Sequence, residues 1–459
     1  MAITLPEITP EITMVGNANS VPVSTRDWFA DGFKAGWRDP DVTPDAPAPR
    51  NQETLRAFFD GVGAGRRARR NIEGSRTSED REKLFEPIVL PAIAQQTAPD
   101  FANLESIQNA ANAKQGARTV PGRNIPVPAT ASPSLQAAIA APYRVPTSNP
   151  KTAAEWKELS IRLAARRAAA QKDLRDKLGV SMETTMMDGV KTFILAPKEI
   201  PSANRNRLLI NVHGGGYVYN PGEAGTGEAT LMAAYGGFKV ISIDYRMPPD
   251  YPYPAAMDDA MAVWNEAVKT QNPRNMAIFG TSTGGGMTLA MILRAKQEGL
   301  PLPGAIAPGT PWSDLTETGD SCKTNEWLDN VLVSYDGYLR HAAELYANGH
   351  DLKDPQLSPI YGDFTGFPPA ILTSGTRDLF LSLTVLTHRK LRCAGIDADL
   401  QIFEGMSHAQ YLFTPFAPET KEVFTEIARF LDKHLANRRN SAPRRTNKTC
   451  YSCACKGTC

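Results

Sequence analysis

Gly280-Thr281-Ser282-Thr283-Gly284 is the stretch on which the reading of this chain turns. It follows an apolar run, Met276 to Phe279, and leads into a glycine-rich, helix-compatible run, Gly284 to Lys296. A lone G-x-S-x-G pattern is a weak signal. Set between a strand and a helix, it predicts a sharp turn that lifts a serine hydroxyl to the top of a sheet, within reach of a base and a substrate. The flanking glycines allow the strained turn and the close helix–strand approach.

Outward from this turn the chain alternates between two periods. Strand candidates are Leu208 to Val212, Lys239 to Ile243, Met276 to Phe279, Ala305 to Ala307, Ala370 to Thr373 and Leu400 to Phe403. Helical stretches separate most of them: Ala255 to Thr270, Thr283 to Glu298, Leu381 to Ala394 and Glu419 to Leu435. That alternation predicts the α/β class, with a mostly parallel sheet covered on both faces. Upstream, Thr152 to Leu178 reads as a helix. Thr152 and Glu155 make a capping box, Trp156, Leu159, Leu163, Ala170, Leu174 and Leu178 recur at helical spacing, and Gly179 can close the end. Asp188-Gly189, between Ser181 to Met187 and Lys191 to Ala196, is a hairpin signal.

Composition bounds the rest. The 459 residues are 42% hydrophobic and 22% charged, with net charge +1. This is ordinary soluble composition, long enough for more than one domain, with no global field for nucleic acid. Met1 to Ser24 lacks a basic start followed by a long apolar run, and no window approaches ~18 uninterrupted apolar residues. The expectation is a cytoplasmic protein with no membrane span.

Residues 1–130 read as a separate N-terminal extension. They hold a proline-rich patch (Pro40 to Pro49), a basic cluster (Arg66, Arg67, Arg69, Arg70) and an internal echo, F-x-D-G-x-x-A-G-x-R, at 29–38 and 58–67. The echo is compatible with two packed helical segments. No chemistry follows from it, and the arginines read as a solvated face. Residues 438–459 form a basic tail, expected to be flexible. It holds Cys450, Cys453, Cys455 and Cys459, whereas Cys322 and Cys393 stand alone in the body. The body is therefore not a disulfide scaffold. Four close thiols could bind Zn²⁺ or Cu(I), form disulfides, be modified or be incidental. The spacing is too tight for an ordinary zinc ribbon.

A serine hydroxyl needs an adjacent base, and that base needs an orienting carboxylate. The chain has six histidines. His213 precedes glycines at a strand end, His341 and His350 lie between strands, and His388 and His434 sit in helical patterns among charges. His408, in Gly405-Met406-Ser407-His408, follows the last strand candidate and precedes the last helix, as the order Ser…Asp…His requires. Asp378 lies in the loop after Ala370 to Ser374 and is the expected acid. Asp397 and Asp399 lie beyond the next helix and fit less well. His213-Gly214-Gly215-Gly216 supplies side-chain-free backbone for an oxyanion hole, with Gly214, Gly215 and Thr283 as the expected N–H donors. His213 reads as a brace for that loop.

At these residues the chain resembles the hormone-sensitive-lipase-like α/β-hydrolases, the bacterial family IV esterases, over about residues 131–437. His213-Gly214-Gly215-Gly216-Tyr217, Tyr245-Arg246, Tyr253-Pro254-Ala255-Ala256 with Asp258-Asp259, Pro311-Trp312-Ser313-Asp314-Leu315 and Glu404-Gly405-Met406-Ser407-His408-Ala409 carry the resemblance. The last is closest to members known as lactone hydrolases or acetyl-hydrolases. The family elbow is usually G-D-S-A-G; here Thr281 and Thr283 replace Asp and Ala. The acid motif D-P-L followed by a second Asp appears as Asp378-Leu379-Phe380-Leu381-Ser382. The resemblance implies a carboxylic ester hydrolase for short to medium acyl chains or lactones, needing no metal or organic cofactor. It implies a helical lid from 132–178 and 313–357, with Tyr217, Trp312 and Trp327 as candidate pocket walls. Thr283 could narrow the acyl site. Asp258 and Asp259 would serve structure. A homo-oligomer is compatible with this reading. The contrasting class is a small-molecule binding protein on a hydrolase scaffold; Ser282, Asp378 and His408 in order argue against it.

Overall fold

The structure is a computed structural model, and it describes residues 120, 122–144, 150 and 152–435. The chain divides into two units between Asn124 and Ile125, and every described helix and strand lies in the second. The echo at 29–38 and 58–67, the arginine cluster and the four tail cysteines lie outside the described residues.

The first helix, α1 (Pro133–Ile139), starts on Ser132, whose side chain accepts from Leu135 N at 3.2 Å, with proline at the first helical position. Its seven residues are too few for a periodic signal, which is why the sequence reading passes over it. The long α2 (Ala153–Leu178) has the expected capping box between Thr152 and Glu155, and it ends on Gly179 at φ 65°. A hairpin of β1 (Val180–Met187) and β2 (Val190–Pro197) turns at Asp188-Gly189.

Then β3 (Leu208–Val212) leads to α3 (Gly227–Leu231), which continues as a π turn over Met232–Gly236. The βα alternation follows: β4 (Lys239–Ile243), α4 (Ala255–Thr270), β5 (Met276–Thr281), α5 (Thr283–Gln297) and β6 (Ala305–Gly309). After β6 come two helices inside the 313–357 stretch expected to be part of a helical lid, though the sequence reading draws no individual helix there: the short α6 (Ser321–Thr324) and α7 (Tyr338–Ala347). The chain closes with β7 (Ala370–Gly375), α8 (Leu381–Cys393), β8 (Ala398–Phe403) and α9 (Pro418–His434).

The eight strands make one sheet in the order β1-β2-β4-β3-β5-β6-β7-β8. β1/β2 and β2/β4 are antiparallel and the remaining pairs parallel. Side chains alternate across the sheet with period two. Ile210, Val212 and Ile278 face the core under α4, α5 and α8; Leu209, Ala277 and Phe279 face the one under α1, α3 and α9. α9 shows its apolar face plainly: Val423, Phe424, Ile427, Phe430 and Leu431 are buried. Each large side chain of this kind contributes roughly 1.5–3 kcal/mol by leaving water. Several strands run one or two residues past their predicted ends because pairing with neighbours, not apolarity, sets where a strand stops. β5 and β6, for example, continue through Gly280↔Pro308 and Thr281↔Gly309.

Candidate active site

Ser282 sits at φ 64°, ψ −122°, between the last residue of β5 and the first of α5. This backbone is costly for a residue with a Cβ, and persists only where the surroundings impose it. Here they do. Ser282 N donates to Gly309 O at 2.9 Å, and Ser282 O accepts from Gly286 N at 3.0 Å and Trp312 N at 2.9 Å. The two flanking glycines are required by the end of β3. A Cβ on Gly280 would lie 2.1 Å from Val212 O, and one on Gly284 only 1.9 Å from it. The turn thus forms because β3, β5, α5 and the exit of β6 converge where a side chain would not fit.

Beneath the turn, Thr281 faces inward. Its hydroxyl donates to Glu228 Oε1 at 2.6 Å and lies 2.7 Å from Tyr411 Oη, while Asn211 Nδ2 donates to Glu228 Oε2 at 3.2 Å. Burial pushes the Glu228 carboxyl up to about 7, against the pull of those hydrogen bonds. The sequence gives no sign of this network, since Glu228 reads there as one acid among many.

Asp378 and His408 arrive from the loops after β7 and β8. His408 Nδ1 lies 2.9 Å from Asp378 Oδ1, and both side chains are buried. Asp378 Oδ1 also accepts from Phe380 N at 2.8 Å. Its Oδ2 accepts from Ser374 Oγ at 2.8 Å and from the Thr310 hydroxyl, which itself stands 3.1 Å from His408 Nδ1. A carboxylate accepting this many hydrogen bonds is held rigidly. On the far side of the imidazole, Nε2 has no hydrogen bond. Phe380 packs its ring edge-on against His408 with centroids 4.8 Å apart.

The loop after β3 brings glycines against the serine. A Cβ on Gly214 would be 2.5 Å from Thr281 O and 3.3 Å from Ser282 Cβ, so only glycine permits this approach. Gly215 and Gly216 have φ of 136° and 65°. Among the described residues, the backbone hydrogen bonds of the turns and loops around the site do not use the N–H of Gly214, Gly215 or Thr283. His213 braces the loop as expected: its ring stacks on Tyr245 at 4.2 Å, and its Nδ1 lies 3.0 Å from Gly214 O. Burial lowers its basicity, which favours the neutral ring, and a proton on Nδ1 would donate to that carbonyl.

Thr283 is fully buried, and its hydroxyl lies beside that of Tyr245, inside the fold. Tyr217 and Trp312 are fully buried too: Tyr217 stacks on Tyr346 at 3.6 Å, and Trp312 stacks on Phe380 at 5.5 Å. Trp312 thus meets His408 through one intervening ring. Trp327 is exposed, with Tyr143 edge-on to it at 5.9 Å. Asp259 pairs with Arg246 and Asp258 with Arg294, both as structural ion pairs. Two further polar residues went unread in the sequence, Asp329 and Asn330. Asp329 Oδ2 accepts from Leu379 N at 2.8 Å and His408 N at 3.2 Å, and Asn330 N reaches Ser407 Oγ at 3.3 Å. Neither sits in a motif; only their place between two loops gives them meaning. Among the described residues no cluster of His, Cys, Asp or Glu has the arrangement of a metal site, and no helix is long and apolar enough to cross a membrane.

A sheet of this order with a strained serine turn after an inner parallel strand defines the α/β-hydrolase class. Comparison with known proteins agrees: residues 209–412 match a family described as having the alpha/beta hydrolase fold. An acetyl-hydrolase from Streptomyces hygroscopicus is 28% identical over 232 residues, covering 50% of this chain and 77% of that protein. An esterase from Acinetobacter venetianus is 27% identical over 229 residues, 50% of this chain and 75% of that protein. Among solved structures, esterase E25 superposes with a TM-score of 0.68 at 41% identity, covering 70% of this chain and all (100%) of E25. An esterase of the bacterial hormone-sensitive lipase family superposes at 0.58 with 28% identity, covering 66% of this chain and 99% of that one. The chain belongs to the hormone-sensitive-lipase-like family of α/β-hydrolase esterases, and it is a serine hydrolase of carboxylic esters.

Proposed function

We propose that Ser282 is the nucleophile, His408 the general base and acid, and Asp378 the carboxylate that orients it. In this reading Ser282 Oγ attacks the ester carbonyl while His408 Nε2 takes its proton. The alcohol leaves with that proton, and a water activated by the same nitrogen releases the acid from the acyl-enzyme. Asp378 keeps Nδ1 protonated and balances the charge that forms on the ring. The N–H groups of Gly214, Gly215 and Thr283 receive the developing oxyanion, each worth roughly 3–4 kcal/mol at the transition state. The observation that carries the reading is the buried 2.9 Å contact between His408 Nδ1 and Asp378 Oδ1, which leaves Nε2 unbonded. The missing bond from Ser282 is no obstacle, since such contacts tighten when substrate binds.

The substrate class is short to medium acyl esters. An acetyl-hydrolase and an ethyl acetate hydrolase from Pseudomonas putida are among the relatives, which supports small acyl groups. A lactone would follow the same course with its alcohol still tethered. Residues 132–178 and 313–357 would form the lid that sets acyl size.

Turnover of p-nitrophenyl acetate, butyrate and octanoate by the full chain, against Ser282→Ala, tests this. Activity falling with acyl length and abolished in Ser282→Ala is expected. Equal turnover by the variant would sink the assignment.

A further inference from the structure

The carbonyl of Gly214 and the N–H of Gly215 belong to one peptide group. What bonds the carbonyl therefore acts on the N–H. Asn220 Nδ2 donates to Gly214 O at 2.7 Å. Behind it, Arg167 Nη1 donates to Asn220 Oδ1 in a short hydrogen bond. The orientation of the Asn220 amide is unambiguous: a guanidinium only donates and a carbonyl only accepts, so Oδ1 must face Arg167 and Nδ2 must face Gly214. Asn220 holds φ 75°, a backbone region asparagine tolerates better than most residues. Its amide is pressed against the loop, since a Cβ on Gly215 would be 2.7 Å from Asn220 Nδ2.

Arg167 has a surplus that the fold alone does not explain. It is largely desolvated, and burial first, then the nearby Arg144, lower its basicity. Among the described residues its hydrogen-bond partner is Asn220, its guanidinium lies 5.4 Å from the centre of the Phe413 ring, and no carboxylate pairs with it. A cation with no carboxylate beside it is costly there unless its field is used, since a single ring face offsets only part of the desolvation. The hydrogen bonds lead from it to the Asn220 amide and on to the Gly214–Gly215 peptide.

We propose that Arg167 and Asn220 form a relay that positions and polarises the Gly214–Gly215 peptide, so that helix α2 of the lid contributes to oxyanion stabilisation. Charge on Arg167 draws electron density from the Asn220 amide, which strengthens its bond to Gly214 O. That in turn makes the Gly215 N–H more positive, where the ester oxygen becomes an anion. Hydrogen bonds in a chain reinforce one another in a low-dielectric site, and the gain appears where charge develops. Neither residue touches substrate in this scheme; both are positioning residues. The inference rests on the reading of Gly215 as an oxyanion donor.

The test compares Asn220→Ala, Asn220→Asp, Arg167→Gln and Arg167→Lys in the full chain, with p-nitrophenyl butyrate as substrate and a trifluoromethyl ketone as tetrahedral analogue. Asn220→Asp keeps the bond with Arg167 and destroys the donor to Gly214 O, so it separates the relay from packing. Asn220→Ala and Asn220→Asp are expected to lower kcat by about 10- to 100-fold, the scale of a weakened oxyanion donor, with KM shifting far less. Arg167→Gln should cost less, and Arg167→Lys should recover part of that. Ketone affinity should fall by the same factor as kcat/KM. A loss confined to KM, or ketone binding that stays at the wild-type level while kcat drops, overturns the relay. A Ser282→Ala variant with wild-type turnover would instead overturn the underlying site assignment, so the two failures are distinct.

Discussion

Asp329 accepts the main-chain N–H of His408 at 3.2 Å and that of Leu379 at 2.8 Å through a single carboxylate oxygen. Its other oxygen accepts from Val331 N at 2.8 Å and Leu332 N at 3.1 Å. One buried side chain between α6 and α7 therefore ties together the loops that carry Asp378 and His408. Burial, then the Asp378 carboxylate, push its own carboxyl up to about 6.

Removing that tie should damage stability and turnover together. Asp329→Ala leaves four N–H groups, three of them buried, without their acceptor. Each orphaned donor costs about 1–3 kcal/mol, partly recovered by relaxation, so a loss of roughly 3–5 kcal/mol in urea unfolding is expected. Turnover of p-nitrophenyl butyrate measured well below the new melting temperature should still be reduced, because the loops lose their register. Full activity at that temperature would show the tie to be dispensable for the site.

Glu228 gives a pH prediction with a definite sign. Its carboxyl moves from an ordinary 4.5 up to about 7 on folding. A carboxyl raised in the folded state adds stability that is fully present below pH 4.5 and is lost as pH rises through 7. Glu228→Gln keeps an acceptor for Asn211 and a group for the Thr281 hydroxyl, without the charge. The variant should therefore gain on the wild type as pH rises, by at most about 3 kcal/mol at pH 8. Melting temperatures recorded from pH 5 to pH 9 check this, and parallel curves for the two proteins would contradict it.

Thr310 donates to Asp378 and stands beside His408 Nδ1. Thr310→Val keeps the shape and deletes the hydroxyl, leaving Ser374 Oγ alone on that carboxylate oxygen. Hydrogen bonds to charged groups are worth about 1.5–3 kcal/mol. A roughly 10-fold or greater fall in kcat with little change in KM is expected. Steady-state kinetics decide it, and an unchanged kcat would mean that Ser374 suffices.

Gly284→Ala probes the convergence behind the serine. The added methyl would meet Val212 O at 1.9 Å, and both partners are backbone. Overpacking of this kind costs about 3 kcal/mol or more where nothing can yield. Loss of activity with a melting temperature lowered by several degrees is the expected result of the clash. A stable, active variant would show that the turn can move.

The chain's local chemistry was open to reading because its causes lie close in sequence. The Thr152–Glu155 box, the Asp188-Gly189 hairpin and the glycines at 280 and 284 act through groups a few residues away, or through backbone freedom that residue type alone confers. Alternating hydrophobic periods then imply the parallel sheet, and the order of Ser282, Asp378 and His408 follows the order of its strands. The reach of that logic ends at α1 and α6, too short to show a period; α7, whose buried Leu339, Ala342, Ala343, Tyr346 and Ala347 do recur at helical spacing, lies within its reach, though the sequence reading passes over it. It ends sooner for polar groups. Glu228 meets Thr281 across 53 residues, Asp329 meets His408 across 79, and Arg167 meets Asn220 across 53. In the sequence these are three charged residues and their partners among many others of the same kind. Only the packed sheet strips water from them, and that desolvation turns ordinary side chains into ones that set the site's geometry and charge.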